Sequence, residues 1–376
     1  MKIDRFYADG YKNLCEAELE PDSRMNIICG DNAQGKTNLI EAIWLMTGCR
    51  SFRGTRERDF IGFTKEKAEI NLKFTDCTRQ QEIGFSVKKG NLKDRTVTLN
   101  GVKVPLLSRL FGNLKCVVFT PEDLALAKGS PDNRRSFVDL SASQLKKSFV
   151  HALNKYDRLL GQRNAALKEI SFGRKSAADL DIWDAQLAKT GAYISVIRNT
   201  YCNNLNKYTE SLYSKITDSK ENMNLYYQST IYKDKLLDGC TDHEGELTEI
   251  YYERLKGHRV DDVRAGYTVL GVHRDDIIAT INGLAAREFG SQGQQRSAAL
   301  VMKIAQAKII GDQTGETPVM LLDDVLSELD MGRQRFIMQN IEDMQIFITC
   351  CDNRVLKAVG GKIFEVNLGK VRIGKK

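Results

Sequence analysis

Eight consecutive residues, Gly30-Asp31-Asn32-Ala33-Gln34-Gly35-Lys36-Thr37, fill the phosphate-binding pattern G-x-x-x-x-G-K-[ST] completely. Such a loop works only between a strand and a helix. Its backbone N–H groups converge on a phosphate, and the helix that follows presents its positive end. The flanks comply: Met25 to Cys29 reads as a strand, and Leu39, Ile40, Ala42 and Ile43 as the apolar face of a helix. In that setting Gly30 to Thr37 are expected to cradle the phosphates of a nucleotide. Lys36 reaches the β- and γ-phosphates as a point charge, and the Thr37 hydroxyl is a ligand for Mg2+. The chain must therefore contain an α/β domain with a parallel sheet.

A second fragment of the same kind of site stands far away. Val319-Met320-Leu321-Leu322-Asp323-Asp324 is a buried strand running into two carboxylates, 287 residues beyond Lys36. In a phosphate-loop ATPase such acids hold Mg2+ and polarise water, so Asp323 is expected on the metal side and Asp324 nearest the attacking water. Lys36, Asp323 and Asp324 form the expected catalytic set. The separation is too long for one compact nucleotide-binding domain, so a large insertion must split it.

Proline marks where the insertion lies. Four of the five prolines fall at or before Pro131 and the fifth is Pro318. The early part reads as short strands (68–74, 81–87, 96–99 and 116–119) with Asn100-Gly101 as a hairpin turn. The long proline-free stretch invites helices, with apolar periodicity through Leu145, Phe149, Leu153, Tyr156 and Leu160 and again through Trp183, Leu187 and Ile194. Strand signals return at 267–272 and 277–281. They are followed by a helix over 295–310, the strand 319–322, a helix near 331–342 and a strand at 345–349. The expected organisation is an N-terminal part of an ATPase head over 1–125, a helical lobe over 126–265, and a C-terminal part of the head over 266–376.

Composition excludes several other classes. The 376 residues suffice for two or three lobes at about 150 each. No apolar run approaches the roughly 18 residues of a membrane helix, and charges interrupt the first residues where a signal peptide would be apolar. We therefore expect a cytoplasmic protein with no membrane partner. Nine cysteines include no C-x-x-C pair and the four histidines are scattered, so free thiols are expected rather than a zinc site. The net charge of +7 is concentrated: Asp132 to Lys175 carries ten Lys/Arg against four Asp/Glu.

Between the two halves of the site, Phe289-Gly290-Ser291-Gln292-Gly293-Gln294-Gln295-Arg296 opens a helix. Ser291 and Gly293 at its N-terminus form a second candidate anion site. Beyond the acidic strand comes Ser327-Glu328-Leu329-Asp330. A capped helix and a turn would account for either motif alone, but less readily for four motifs in this order.

With these motifs the chain resembles the ABC-type, SMC-like ATPase heads of chromosome-maintenance proteins, and among them the bacterial recombination mediators. The likeness extends to Arg50-Ser51-Phe52-Arg53, Pro121-Glu122-Asp123-Leu124, Gly129-Ser130-Pro131 with Arg134-Arg135, Gln162-Arg163-Asn164-Ala165 and Gly271-Val272-His273-Arg274-Asp275-Asp276. The resemblance implies a phosphate-loop ABC-type head split by a helical lobe, with slow ATP hydrolysis. It implies an ATP-dependent homodimer, formed head to head, in which Ser291 of one copy covers nucleotide on the other. It also implies DNA at single-strand gaps and duplex junctions, a RecR-like mediator as partner, and help for RecA in loading onto coated strands. Three positions depart from the pattern. Asp324 stands where most such heads carry glutamate, Thr349 is the nearest polar residue where a histidine is usual, and Val272 replaces a proline.

For DNA, the basic early segment and the arm supply Arg50, Arg53, Arg134 and Arg135 as candidates. No base-reading element is evident, so recognition of backbone rather than sequence is expected. The run His273 to Asp276 echoes a kinase catalytic loop, but Thr280 stands where that loop needs asparagine, and the run reads better as a salt-bridge cluster. Two rival functions share these motifs: the ATPase subunit of a transporter, and a non-catalytic scaffold that holds ATP. A transporter head places its signature roughly a hundred residues after the phosphate loop; here the distance is 255.

Overall fold

The computed structural model describes residues 1–174, 176–233, 237, 245–351 and 360–374, with the backbone alone over 91–94. The chain forms two compact units, one of residues 1–125 with 302–376 and one of residues 126–301.

Among the described residues, the first unit holds two six-stranded sheets. In one, strand Met25–Cys29 is flanked by Ile346–Cys350 and Lys362–Asn367, and Val319–Asp323 and Cys116–Phe119 continue the parallel array. These strands are nearly continuous apolar runs, as expected where both faces are covered. The other sheet is antiparallel, with Lys2–Asp9, Lys67–Thr75, Gln80–Lys88 and Asn91–Leu99 at its centre. Its strands alternate buried and exposed residues, as in Ala68, Ile70, Leu72 and Phe74. A buried glutamine joins the two: Gln345 accepts from the N–H of Ile3 at 2.7 Å and donates to the Ile3 and Asp22 carbonyls.

The second unit is built on helices Pro131–Leu145, Lys147–Ser171 and Asp181–Ile216, with a three-stranded antiparallel sheet centred on Asp276–Ile281. One edge of that sheet is Met223–Gln228, a strand inside the stretch expected to be helical. Met223, Leu225 and Tyr227 are buried and the residues between them exposed, a period of two. Residues 266–301, which the sequence groups with the C-terminal part of the head, lie in this unit because Asp276–Ile281 pairs with Met223–Gln228 along its whole length. The expected strand at 267–272 is absent. Side chains hold that segment instead: Asn164 accepts from Thr268, and Asp262 from the N–H of Val269.

Three members of the run His273 to Asp276 join a polar network around the buried Asp275, while Arg274 is exposed. Asp275 accepts from the Tyr227 hydroxyl and from both the N–H and the hydroxyl of Thr230. Asp276 takes a two-pronged bond from Arg134 at 2.8 and 2.7 Å. His273 Nε2 contacts the Thr268 carbonyl at 3.0 Å and must therefore carry its proton there, so Nδ1 accepts from Tyr156 at 3.1 Å. Tyr156 in turn accepts a hydrogen bond from the Tyr251 hydroxyl, which itself accepts from the Val272 N–H. A Cβ on Gly271 would come within 2.5 Å of the Tyr156 hydroxyl and 2.6 Å of that of Tyr251.

Candidate nucleotide-binding site

The phosphate loop leaves strand Met25–Cys29 and enters helix Lys36–Leu45. Neighbouring backbone fixes its shape. A Cβ on Gly30 would lie 2.3 Å from the Val366 carbonyl oxygen. Gly35 caps the helix in the left-handed region at φ 119°, a conformation that favours glycine. Gln34 accepts from the N–H of Leu368 at 2.7 Å through its side chain and from that of Gly369 at 3.0 Å through its carbonyl. Asn32 accepts from the Cys351 thiol at 3.0 Å. Lys36, only 8% exposed, donates to the carbonyls of Gly30 (2.7 Å) and Asp31 (2.9 Å), so its ammonium is held at the lip of the loop.

Three strand ends meet the loop. Thr37, at the start of its helix, donates to Asp323 at 3.0 Å, and Thr349 donates to the same carboxylate oxygen at 2.9 Å. Thr349 also accepts from the N–H of Asp324 at 2.8 Å, so one hydroxyl ties the two acids together. Burial raises the Asp323 pKa above the ordinary carboxylate value, and bonds from Thr349 and Thr37 oppose it. Asp324 sits in the left-handed region at φ 54°. The Ser327 hydroxyl donates to its carbonyl at 2.6 Å.

These groups border a cleft of about 760 Å³. Lys36, Thr37, Asp324 and Thr349 line it, as do Asn32, Ala33 and Gly35 of the loop. Its charge is mostly positive: Lys12, Lys36, Arg53, Arg58 and Lys89 face two carboxylates, Asp59 and Asp324. Arg53 donates to Asn38, on the helix that follows the loop, at 3.0 Å. The segment carrying Arg53 is held by Glu41, a fully buried carboxylate of the same helix that accepts from Ser51 and Lys12. No local pattern marks Lys12, Glu41 or Lys89, which the fold brings to the loop, whereas Arg58, one of the basic residues of the early segment expected to meet DNA, lines the cleft.

The DNA candidates divide. Arg50 and Arg53 are exposed, with Arg53 turned into the cleft. Arg134 and Arg135, expected on a DNA-facing surface, are instead 3% and 9% exposed. Arg134 is committed to Asp276, and Arg135 to Asp132 and the Asp275 carbonyl. Guanidinium groups whose donors are used inside the fold cannot reach a phosphate backbone. Ser291 is exposed and caps helix Gln292–Thr314: it accepts from the Gln294 N–H at 3.2 Å, and the Gln294 side chain accepts from the Ser291 N–H at 2.8 Å. This reciprocal capping box leaves Gly293 in the first turn, so the helix start is fixed in place.

A phosphate loop on a parallel sheet, two acids at the end of a neighbouring strand and an inserted helical unit define an ATPase head of the ABC type. The chain matches the model of the RecF/RecN/SMC N terminal domain over residues 2–372, and it belongs to that family. The DNA replication and repair protein RecF of Halothermothrix orenii is 38% identical over 379 residues, covering 99% of this chain and 98% of that one. RecF of Alkaliphilus oremlandii is 34% identical over 374 residues, covering 99% of this chain and all of the relative. The solved structure of the recombination mediator protein RecF-ATP in the RecFOR pathway superposes with a TM-score of 0.90 at 32% identity, covering all of this chain and 98% of that one. An Smc head domain from Pyrococcus furiosus shares the fold at 15% identity and a TM-score of 0.55, covering 99% of this chain and 96% of the other.

Proposed function

We propose that this chain is an ATP-dependent DNA-binding protein of recombination and replication-gap repair, and that ATP in the cleft draws two copies together on DNA. The observation that carries the reading is the convergence of Thr37, Asp323 and Thr349 at the lip of the Lys36 loop, from positions 286 residues apart in the chain. Two hard oxygen donors on adjacent elements suit Mg2+, which prefers carboxylate and hydroxyl oxygens and keeps several waters. The cationic cleft suits a triphosphate. Thr37 and Asp323 would hold the metal, whose chemistry is to offset charge on the phosphate oxygens.

The chain's own residues do the rest. Lys36 and the N–H groups from Gly30 to Thr37 bind the phosphates. Asp324, held by Thr349 and Ser327, orients the attacking water and takes its proton. Ser291 and the helix start behind it contact the nucleotide of the opposite copy. Hydrolysis is slow and stimulated by DNA, acting as a switch that releases the dimer. DNA is met through its backbone, with Arg50 and Arg53 the exposed candidates, at single-strand gaps and duplex junctions. A RecR-like mediator is the partner, RecA loading the outcome, and the cytoplasm the location. Among the described residues, no helix is long and apolar enough to cross a membrane.

Equilibrium sedimentation tests this reading. Ser291→Arg should still bind ATP but remain monomeric, and its turnover should fall with dimerisation. Mixed with Lys36→Ala it should recover one composite interface, the intact loop of one copy against the intact signature of the other. An ATP-dependent dimer of Ser291→Arg alone would overturn the proposal in favour of a self-contained ATPase.

A further inference from the structure

Two thiols stand at the root of the nucleotide cleft. Cys29 is the last residue of strand Met25–Cys29, directly before Gly30, and Cys350 directly follows Thr349. They are register partners on adjacent parallel strands, and their sulfurs are 3.3 Å apart. Neighbouring strands lie about 4.8 Å apart, inside the window of roughly 4.4–6.8 Å between Cα atoms that a disulfide requires. Cys29 is 5% exposed and Cys350 half-buried, so an oxidant reaches the pair through Cys350.

We propose that Cys29 and Cys350 are a modification site, oxidised by hydrogen peroxide to a disulfide that shuts the phosphate loop. The Cys350 sulfur attacks the peroxide O–O bond and becomes a sulfenic acid. Its own proton joins the departing hydroxide as water. The Cys29 sulfur then attacks the Cys350 sulfur and expels the second hydroxide, which takes the Cys29 proton. Two thiols and one peroxide give one disulfide and two waters, with each sulfur losing one electron. The contact with Cys29, together with burial, raises the Cys350 pKa, which keeps the pair reduced until oxidant is abundant.

The site is placed so that the bond must act on the cleft. Closing the sulfurs from 3.3 Å to about 2.05 Å locks both side chains and ties the two strand ends to each other. On one side the next residue is Gly30, whose carbonyl holds Lys36, and a pull toward strand Ile346–Cys350 is a pull away from the Val366 carbonyl on the opposite neighbouring strand. On the other side the preceding residue is Thr349, the hydroxyl that joins Asp323 to Asp324. Both ends of the phosphate site are tied by one bond.

The inference rests on the reading of the cleft as an ATP site, so the test reads the disulfide and the binding separately. Full-length protein is treated with hydrogen peroxide, remaining thiols are alkylated, and peptides are mapped by mass while ATP affinity is measured on the same sample. The expected result is a Cys29–Cys350 linkage with affinity lowered roughly tenfold, the worth of one lost bond to a charged group, and both reversed by dithiothreitol. Cys29→Ser and Cys350→Ser, each serving should the other fail to fold, should abolish the response, and Cys77→Ser should keep it. The proposal is overturned if peroxide modifies the exposed Cys77 and Cys351 while Cys29 and Cys350 stay reduced, or if linked protein binds ATP as well as reduced protein. Reduced protein that binds no ATP would overturn the reading of the cleft, and the switch with it, whatever the peptide map shows.

Discussion

Replacing Thr349 by valine probes the joint on which the site depends. The threonine hydroxyl makes two bonds, one donated to the Asp323 carboxylate at 2.9 Å and one accepted from the Asp324 N–H at 2.8 Å. Valine keeps the branched shape on strand Ile346–Cys350 and removes both. A bond to a charged acceptor contributes about 1.5–3 kcal/mol, and an N–H left without a partner costs about 1–3 kcal/mol. If only the first of these reaches the barrier, turnover falls roughly 10- to 150-fold. ATP affinity should change little, because Lys36 and the loop are untouched. The acid limb of the rate profile should also move. Burial already raises the Asp323 pKa, with Thr349 opposing, so losing Thr349 raises it further and the carboxylate protonates at a higher pH. Single-turnover hydrolysis with titrated Mg2+ and parallel ATP binding measures all of this, and Thr349→Ser should restore the rate. A Thr349→Val protein that hydrolyses ATP at the parent rate, with the same Mg2+ requirement, would refute the argument.

Lys36→Ala should abolish tight ATP binding, a loss on the order of 1.5–3 kcal/mol or more readable by calorimetry. Asp323→Asn should raise the Mg2+ requirement, whereas Asp324→Asn should bind Mg2+ and ATP normally, stall hydrolysis and accumulate dimers; identical behaviour would end the division of roles. Arg53→Ala should weaken ATP more than DNA, and Arg50→Ala should weaken DNA regardless of sequence, flattening the slope of log K against log salt by roughly 0.9 per lost phosphate contact. Burial lowers the His273 pKa from 6.5 to about 4, so the unfolded chain takes up a proton that the folded one refuses. Stability should fall by about 3 kcal/mol as pH drops from 6.5 to 4, and denaturant titrations of His273→Gln should lose that slope.

Much of the parallel sheet was legible because its strands are short apolar runs bounded by glycine or acids. Cys116–Phe119 coincides with its predicted bounds, and Val319–Asp323 differs by one residue. Strand Met223–Gln228 was not, although Met-x-Leu-x-Tyr alternates, because long helices and the absence of proline on both sides favoured helix. The segment 267–272 failed for the opposite reason. Its β-branched and aromatic residues suit a strand, yet its backbone groups are taken by Asn164 of a distant helix and by Asp262 of the helix just before it, and Gly271 turns to φ 129°.

The site divides along the same physical line. A phosphate loop is local: eight residues supply the glycines, the ammonium and the hydroxyl, so its chemistry can be read from spacing. A cationic surface is not, because an arginine reads the same whether it faces water or a buried acid. Arg134 and Arg135 illustrate this, since the segment around them carries a strong positive excess while their partners, Asp276 and the Asp275 carbonyl, lie some 140 residues away in the chain. Leaving Asp276 buried without Arg134 costs several kcal/mol, more than most exposed ion pairs contribute, so the fold retains these guanidinium groups for its own polar network. Exposed arginines near the loop carry no such commitment. Arg50 and Arg53 therefore remain exposed, and Arg53 also lines the cleft with Lys36 and Thr37.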